Sequence, residues 1–220
     1  MNKRTADLAE QFTLGLSGGV SSSDEVADDA RPPVTHVAGY LSVVQQQALL
    51  AETRLYAFSS PEVRVFGKWH KIPREQIWFA DPGCEYRYSQ LLIEPSPWPK
   101  YALKLREKLN RDFGADFNGC LVNHYRNGRD AMGFHADDEP ELIASAPVAI
   151  VSLGQPRPFV IRRRSDGHKV RLLLQSGDLL LMHAPMQTLW EHAVPRSERS
   201  MDARVSFTFR ALKVGYHSTN

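Results

Sequence analysis

From residue 119 onward, apolar and polar positions alternate in short runs, and most runs end in a turn signal. The runs Leu121–Tyr125, Val148–Leu153, Phe159–Arg163, Val170–Leu174, Leu179–His183, Glu191–Val194 and Val205–Arg210 predict β-strands. Asn127-Gly128, Gly154–Pro158, Asp166-Gly167 and Ser176-Gly177-Asp178 stand between them as chain reversals. Two helices precede this region. Ser42-Val-Val-Gln45 is a capping box that opens a helix to about Arg54, with Val44, Ala48 and Leu49 on one side. Trp98-Pro99 introduces an amphipathic helix over Lys100–Arg111, with Leu105 and Leu109 on its inner face. Val63–Gly67 reads as a strand ending at a glycine turn, Val63 and Val65 on one face and Arg64 and Phe66 on the other. Ile77–Phe79 and Glu85–Tyr88 predict further strands. Helices followed by many short strands predict an α+β domain whose core is a two-sheet jelly roll.

Residues 1–35 carry Gly, Ser and Asp in LSGGVSSSDEVADDARPP and few aromatics, so they predict a disordered arm ahead of one domain over 36–220. A hydrophobic content of 42% and a charged content of 24% are ordinary for a soluble globular chain. Lys and Arg number 27 against 25 Asp and Glu, so a nucleic-acid partner would need locally clustered cations. The two cysteines, Cys84 and Cys120, lack metal-binding spacing and suit a reducing compartment. No signal peptide or membrane-spanning run is present, which predicts a cytoplasmic protein, or a nuclear one in a eukaryote.

The chemistry concentrates in NHYRNGRDAMGFHADDE, residues 123–139. A strand through Phe134–Asp138 would aim His135 and Asp137 at one point, and an earlier strand would do the same for Asn123 and Tyr125. Two histidines and one carboxylate suit a metal with open positions, as in non-haem Fe(II) oxygenases, and His192 in TLWEHAV is the best third ligand. Alone, an HxD is as readily a surface histidine and a turn-capping aspartate. The last strand adds independent support. Val205, Phe207 and Phe209 form its apolar face, while Arg204, Ser206, Thr208 and Arg210 line the other. Alone, this strand reads as readily as an amphipathic edge strand with solvated arginines. If its polar side faces a barrel interior, the arginines need an anionic partner, and a small dicarboxylate spanning the two fits.

Together with VFGKWHKIPREQ (65–76), YRYS (86–89), SLG (152–154), GDLLLM (177–182), WEHAVP (190–195) and RVSFTFR (204–210), these segments give the chain its resemblance. It resembles the AlkB family of Fe(II)- and 2-oxoglutarate-dependent nucleic-acid dealkylases over roughly Ala38 to Leu212, nearest the members that repair double-stranded DNA. The resemblance implies a double-stranded β-helix core over 119–212 and a nucleotide-recognition lid over 60–92. It implies iron on His135, Asp137 and His192, and 2-oxoglutarate on Asn123, Tyr125, Arg204 and Arg210. The family commonly has Asn where this chain has Ser206, a shorter donor to the same carboxylate. The implied reaction uses Fe(II), 2-oxoglutarate and O2 to remove methyl groups from 1-methyladenine or 3-methylcytosine, releasing formaldehyde, succinate and CO2.

A base in a duplex must be flipped out to reach such a centre. Phe66 could fill the vacated stack, and Tyr86, Tyr88 and Ser89 could line the pocket, though each aromatic is also a candidate core residue. Asp138 and Glu139 would favour a cationic methylated base over its neutral parent, unless they are solvated loop acids. Arg64, Lys68, Lys71 and Arg74, and then Arg162, Arg163, Arg164, Lys169 and Arg171, are candidates to grip phosphates. The expected partner is alkylated DNA, double-stranded, bound by a monomer. Open alternatives are the same chemistry on RNA or protein, or a binding module that has lost catalysis.

Overall fold

The computed structural model describes residues 31–65, 67–88, 91–199 and 201–218. In chain order the elements begin with β1 (Val34–Val37), α1 (Val43–Thr53), β2 (Glu62–Val65), β3 (Lys68–Lys71), β4 (Glu75–Ala80), β5 (Tyr86–Tyr88), β6 (Leu91–Ile93) and α2 (Lys100–Phe113). Then follow β7 (Gly119–Tyr125), β8 (Met132–His135), β9 (Val148–Gly154), β10 (Arg157–Arg163), β11 (Lys169–Leu174), β12 (Leu179–Met182), α3 (Pro185–Leu189), β13 (Trp190–Val194) and β14 (Arg204–Arg210). The expected arm lies outside the described residues up to Ala30, and order begins by Val34, slightly ahead of His36, because β1 pairs with β12.

Two antiparallel sheets form the predicted jelly roll. The larger runs β1-β12-β9-β14-β7-β4 and the smaller β11-β10-β13-β8. Alternation along the central strands feeds two cores at once. Ala149, Val151 and Leu153 of β9 join Leu179 and Leu181 of β12 in a cluster with Leu49 of α1 and Leu105 and Leu109 of α2. Val148, Ile150, Leu180 and Met182, one residue out of phase, pack with Phe159, Ile161 and Trp190 of the smaller sheet. The molecule is therefore layered as helices, larger sheet, smaller sheet. The interior between the sheets holds the second cluster.

The helices start where their caps predict. Ser42 accepts from Gln45 N–H and the Gln45 side chain accepts from Ser42 N–H, completing the capping box of α1. The apolar face of α1 differs from expectation: Leu49 is buried, but Val44 is 74% exposed. At 3.6 residues per turn the two lie about 140° apart, too far to share a narrow stripe. Helix α2 buries Leu105 and Leu109 as expected, and Ala102 with them, and ends at Gly114 in the left-handed conformation. The Gly154–Pro158 turn is tighter than read, because Arg157 and Pro158 already belong to β10. Gly154 adopts φ +83°, and a Cβ there would meet the Ala203 carbonyl at 2.5 Å. Among the described residues no helix is long and apolar enough to cross a membrane.

Asp178 fastens the first strand to the turn before β12. Its carboxylate accepts from Gly39 N–H and Gln175 N–H, each at 2.9 Å, and meets His36 Nε2 at 2.9 Å. Burial works against its charge, but these hydrogen bonds and His36 outweigh it and hold the carboxyl below its ordinary range. A depressed carboxyl pKa stabilises the fold above the ordinary range and loses that contribution as pH falls through the lowered value. Asp178→Ala is expected to cost about 1–3 kcal/mol at neutral pH. In urea titrations over a pH series, the gap from the wild type should narrow on the acid side.

Candidate active site

Strands β8 and β13 are neighbours in the smaller sheet, and their register sets His135 directly opposite His192. The imidazole centroids lie 4.3 Å apart. Asp137 arrives differently from expectation. Strand β8 ends at His135, so Asp137 sits in the following loop and not at the next inward position of a strand. Its backbone N–H donates to Gln187 Oε1 of α3 at 2.9 Å, and its carboxylate pairs with Arg210. The outcome is still convergence: one donor atom from each of His135, Asp137 and His192 lies within 4.8 Å of the others.

The protonation of these groups suits a cation. His135 Nδ1 donates to the Gly133 carbonyl at 2.9 Å, which leaves the Nε2 lone pair available. His192 is buried, and burial, reinforced by nearby His135, lowers its pKa to about 3, so the ring is neutral. Burial pushes the Asp137 carboxyl up, but Arg210 and the two imidazoles outweigh it and hold it at about 2. Asp137 Oδ2 lies 3.6 Å from His192 Nε2 and has no hydrogen-bond partner among the described residues. Two imidazoles and a carboxylate with one oxygen uncommitted among the described residues fit a divalent first-row metal such as Fe(II).

Facing this triad across the inter-sheet space is β14. Its apolar face, Val205, Phe207 and Phe209, packs toward the helices. Arg204, Ser206, Thr208 and Arg210 line one cavity with Asn123, Tyr125, His135, Asp137 and His192. Arg204 is 1% exposed and donates to Ser152 Oγ at 2.8 Å, with its guanidinium 5.3 Å from the Tyr125 ring. Nε and Nη1 of both Arg204 and Arg210 are buried without hydrogen-bond partners among the described residues. Burial lowers the Arg204 pKa, and Arg157 adds to that. Such a cradle fits the dicarboxylate read from the sequence.

Several residues have roles the sequence did not suggest. Arg74, read as a surface cation, is buried and donates from Nε to Asn123 Oδ1 at 2.8 Å. With its carbonyl oxygen so engaged, Asn123 has its amide NH2 left to donate. Arg157 reaches the carbonyls of Asn127, Asp130 and Pro195 at 2.8–3.0 Å and ties together the loops after β7 and β13. Its inward position was legible, since Arg157 shares strand parity with buried Phe159 and Ile161. Gln187 gave no local signal.

On the substrate side, Glu139 is partly buried and accepts the Tyr86 hydroxyl at Oε1, while Oε2 has no partner among the described residues. Burial raises its pKa, opposed by Arg210. The Tyr86 ring is stacked on Trp78, with centroids 5.0 Å apart, so it is a core ring whose hydroxyl reaches the site. Asp138 is exposed, 3.8 Å from Arg164. Asp138, Glu139, Arg164 and Gln187 border a cleft of about 360 Å³ beside Asp137 and Arg210. Tyr88 lies in β5, and Arg64 and Lys68 flank the β2–β3 turn at Gly67, φ +79°. Phe66 and Ser89 lie outside the described residues.

The basic hairpin is less available than expected. Arg162 is paired with Glu191 at 2.6 Å, its partner across β10 and β13, and Arg163 with Asp166 at 2.6 Å. Lys71, Arg164, Lys169 and Arg171 are exposed. The sequence treated the arginines alike because strand register is not visible in it.

The 2OG-Fe(II) oxygenase superfamily profile matches residues 33–210. The chain is 37% identical over 174 residues to DNA oxidative demethylase ALKBH2 of Homo sapiens, an alignment covering 76% of this chain and 67% of that protein. To the Bos taurus ALKBH2 it is likewise 37% identical, with 63% of that protein covered. To alpha-ketoglutarate-dependent dioxygenase alkB homolog 3 of Homo sapiens it is 33% identical, covering 65% of this chain and 53% of the relative. The chain thus spans between about half and two thirds of the length of these relatives. The solved structure of OsALKBH1 superposes with a TM-score of 0.58 at 19% identity, covering 82% of this chain and 98% of that one, which shows the shared fold.

Gln187→Ala removes the acceptor that holds the Asp137 backbone. It is expected to weaken Mn(II) or Co(II) binding by about tenfold or more, measured by calorimetric titration of the folded protein.

Proposed function

The chain belongs to the AlkB family of the 2OG-Fe(II) oxygenase superfamily, and we propose that it reverses N-alkylation of bases in double-stranded DNA by oxidative dealkylation. The observation that carries this reading is the shared cavity: the triad His135, Asp137 and His192 and the partly unpaired buried Arg204 and Arg210 face the same space. A zinc hydrolase would use the first set and leave the second without purpose.

His135, Asp137 and His192 would hold the iron, which, with 2-oxoglutarate and O2, supplies the oxidising power to hydroxylate an N-methyl carbon. Arg204 would bind one carboxylate of the cosubstrate, beside the Tyr125 ring and the Asn123 amide. Arg210 would bind the other while keeping Asp137 ionised. Ser206, facing the same cavity between Ser152 and Asn123 in register, leaves more room there than an asparagine would. Phe159, stacked on His192 at 5.1 Å between centroids, screens the ligand from water.

For the substrate, Glu139 offers its Oε2 to the exocyclic amino group of 1-methyladenine or 3-methylcytosine, whose positive charge a carboxylate favours. Residues 60–92 would act as the recognition lid, with Phe66 filling the gap left by the flipped base. A DNA substrate would be met in the cytoplasm, or in the nucleus if the source is a eukaryote.

Anaerobic loading with Fe(II) and 2-oxoglutarate, followed by O2 and a 1-methyladenine duplex, should release formaldehyde, and His135→Ala should abolish it. Phe66→Ala should lower duplex activity while sparing single strands. Equal loss on both, or faster turnover on RNA, would falsify the duplex-DNA target. With Lys71, Arg164, Lys169 and Arg171 each meeting one phosphate, log K for duplex binding should fall against log salt with a slope of about −3 to −4 in fluorescence anisotropy.

A further inference from the structure

Glu141 is fully buried in the loop between β8 and β9, two residues beyond Glu139. Its Oε1 accepts the backbone N–H of Arg87 in β5 at 2.8 Å, and His217 Nε2 lies 3.5 Å from the same oxygen. One residue earlier in β5, the Tyr86 hydroxyl donates to Glu139. The same two segments are therefore joined twice, side by side. The C-terminal turn closes the arrangement from a third side. Lys213 N–H donates to the Glu141 carbonyl at 2.9 Å, and Gly215 N–H to the Gly83 carbonyl at 2.7 Å, just ahead of β5.

Strand β5 pairs with β6 in a separate two-stranded sheet, so neither large sheet fixes its position. An isolated hairpin is marginal by itself. What holds β5 to the metal side is the Tyr86 ring on Trp78 and the Glu141 carboxylate on its backbone. Packing alone would place an apolar residue at 141, as it does at the buried neighbours Leu142 and Leu212. A buried carboxylate is costly to desolvate, but it binds a backbone N–H more strongly than a neutral acceptor does.

We propose that Glu141 is a positioning residue for base selection. It holds the β5 backbone so that the Tyr86 hydroxyl stays on Oε1 of Glu139, which leaves Oε2 as the acceptor for a cationic base. This inference rests on the dealkylation reading above and adds the residue that sets its selectivity.

The test compares wild type, Glu141→Ala and Glu141→Gln on duplexes carrying cationic 1-methyladenine or neutral 1,N6-ethenoadenine. Hydrogen exchange at the Arg87 amide is measured alongside. Alanine should speed that exchange by about tenfold or more. It should lower the preference for the cationic base, as a ratio of kcat/KM values, by about tenfold, with KM for 2-oxoglutarate unchanged. Glutamine, whose amide oxygen still accepts from Arg87, should restore both. Should the alanine protein fail to fold, Tyr86→Phe cuts the same chain of contacts one step later; it should lose the preference while Arg87 stays protected. A loss shared equally by both bases, or an Arg87 amide no faster in Glu141→Ala, overturns the positioning role alone. A wild-type protein that restores adenine in neither duplex, releasing neither formaldehyde from 1-methyladenine nor glyoxal from ethenoadenine, overturns the dealkylation reading, and the role in base selection falls with it.

Discussion

Two guanidinium groups buried between the sheets are the constraint to which the rest of the interior answers. Taking a cation out of water costs several kcal/mol even after relaxation, unless an anion meets it. Arg210 meets Asp137. Arg204 donates to the Ser152 hydroxyl beside the Tyr125 ring and meets no carboxylate among the described residues. Strand β14 cannot rotate to relieve this, because Val205, Phe207 and Phe209 on its other face are committed to the helical core. Positive charge is thus fixed at the centre of the domain, where a dianion of the kind proposed above would complete its neutralisation.

Asp137 links that charge to the metal side by dividing its two oxygens. Oδ1 is taken by Arg210, and Oδ2 points toward His192 without another partner. The carboxylate is held ionised by the cation it neutralises, so the triad and the buried arginines are electrostatically one unit. The two sheets contribute unequally: the smaller supplies both imidazoles, the larger both guanidiniums. The loop from Ala136 to Ala146 carries the acids that join them.

What the sequence disclosed followed from periodicity. The two faces of Arg204–Arg210 were legible because a central strand alternates strictly, and α2 was legible from Leu105 and Leu109. The convergence of His135 and Asp137 was read correctly but for another reason. A loop hydrogen bond to Gln187, and not strand alternation, brings the aspartate in. Charges were the weak point. Arg74, Arg162 and Arg163 all looked like solvent-facing cations, yet their partners Asn123, Glu191 and Asp166 are chosen by burial, cross-strand register and a local turn. Tyr86 likewise looked like a stacking platform, and only the packing of Trp78 shows that its ring is already covered. Glu141 and Gln187 carried no pattern at all, since their partners lie 50 or more residues away.

Arg157 brings the loops after β7 and β13 together through main-chain carbonyls. Two loops far apart along the chain therefore share one anchor, carried on β10, the strand that also pairs with the His192 strand. Losing the residue 157 guanidinium would release both at once, although it is nowhere in the metal triad.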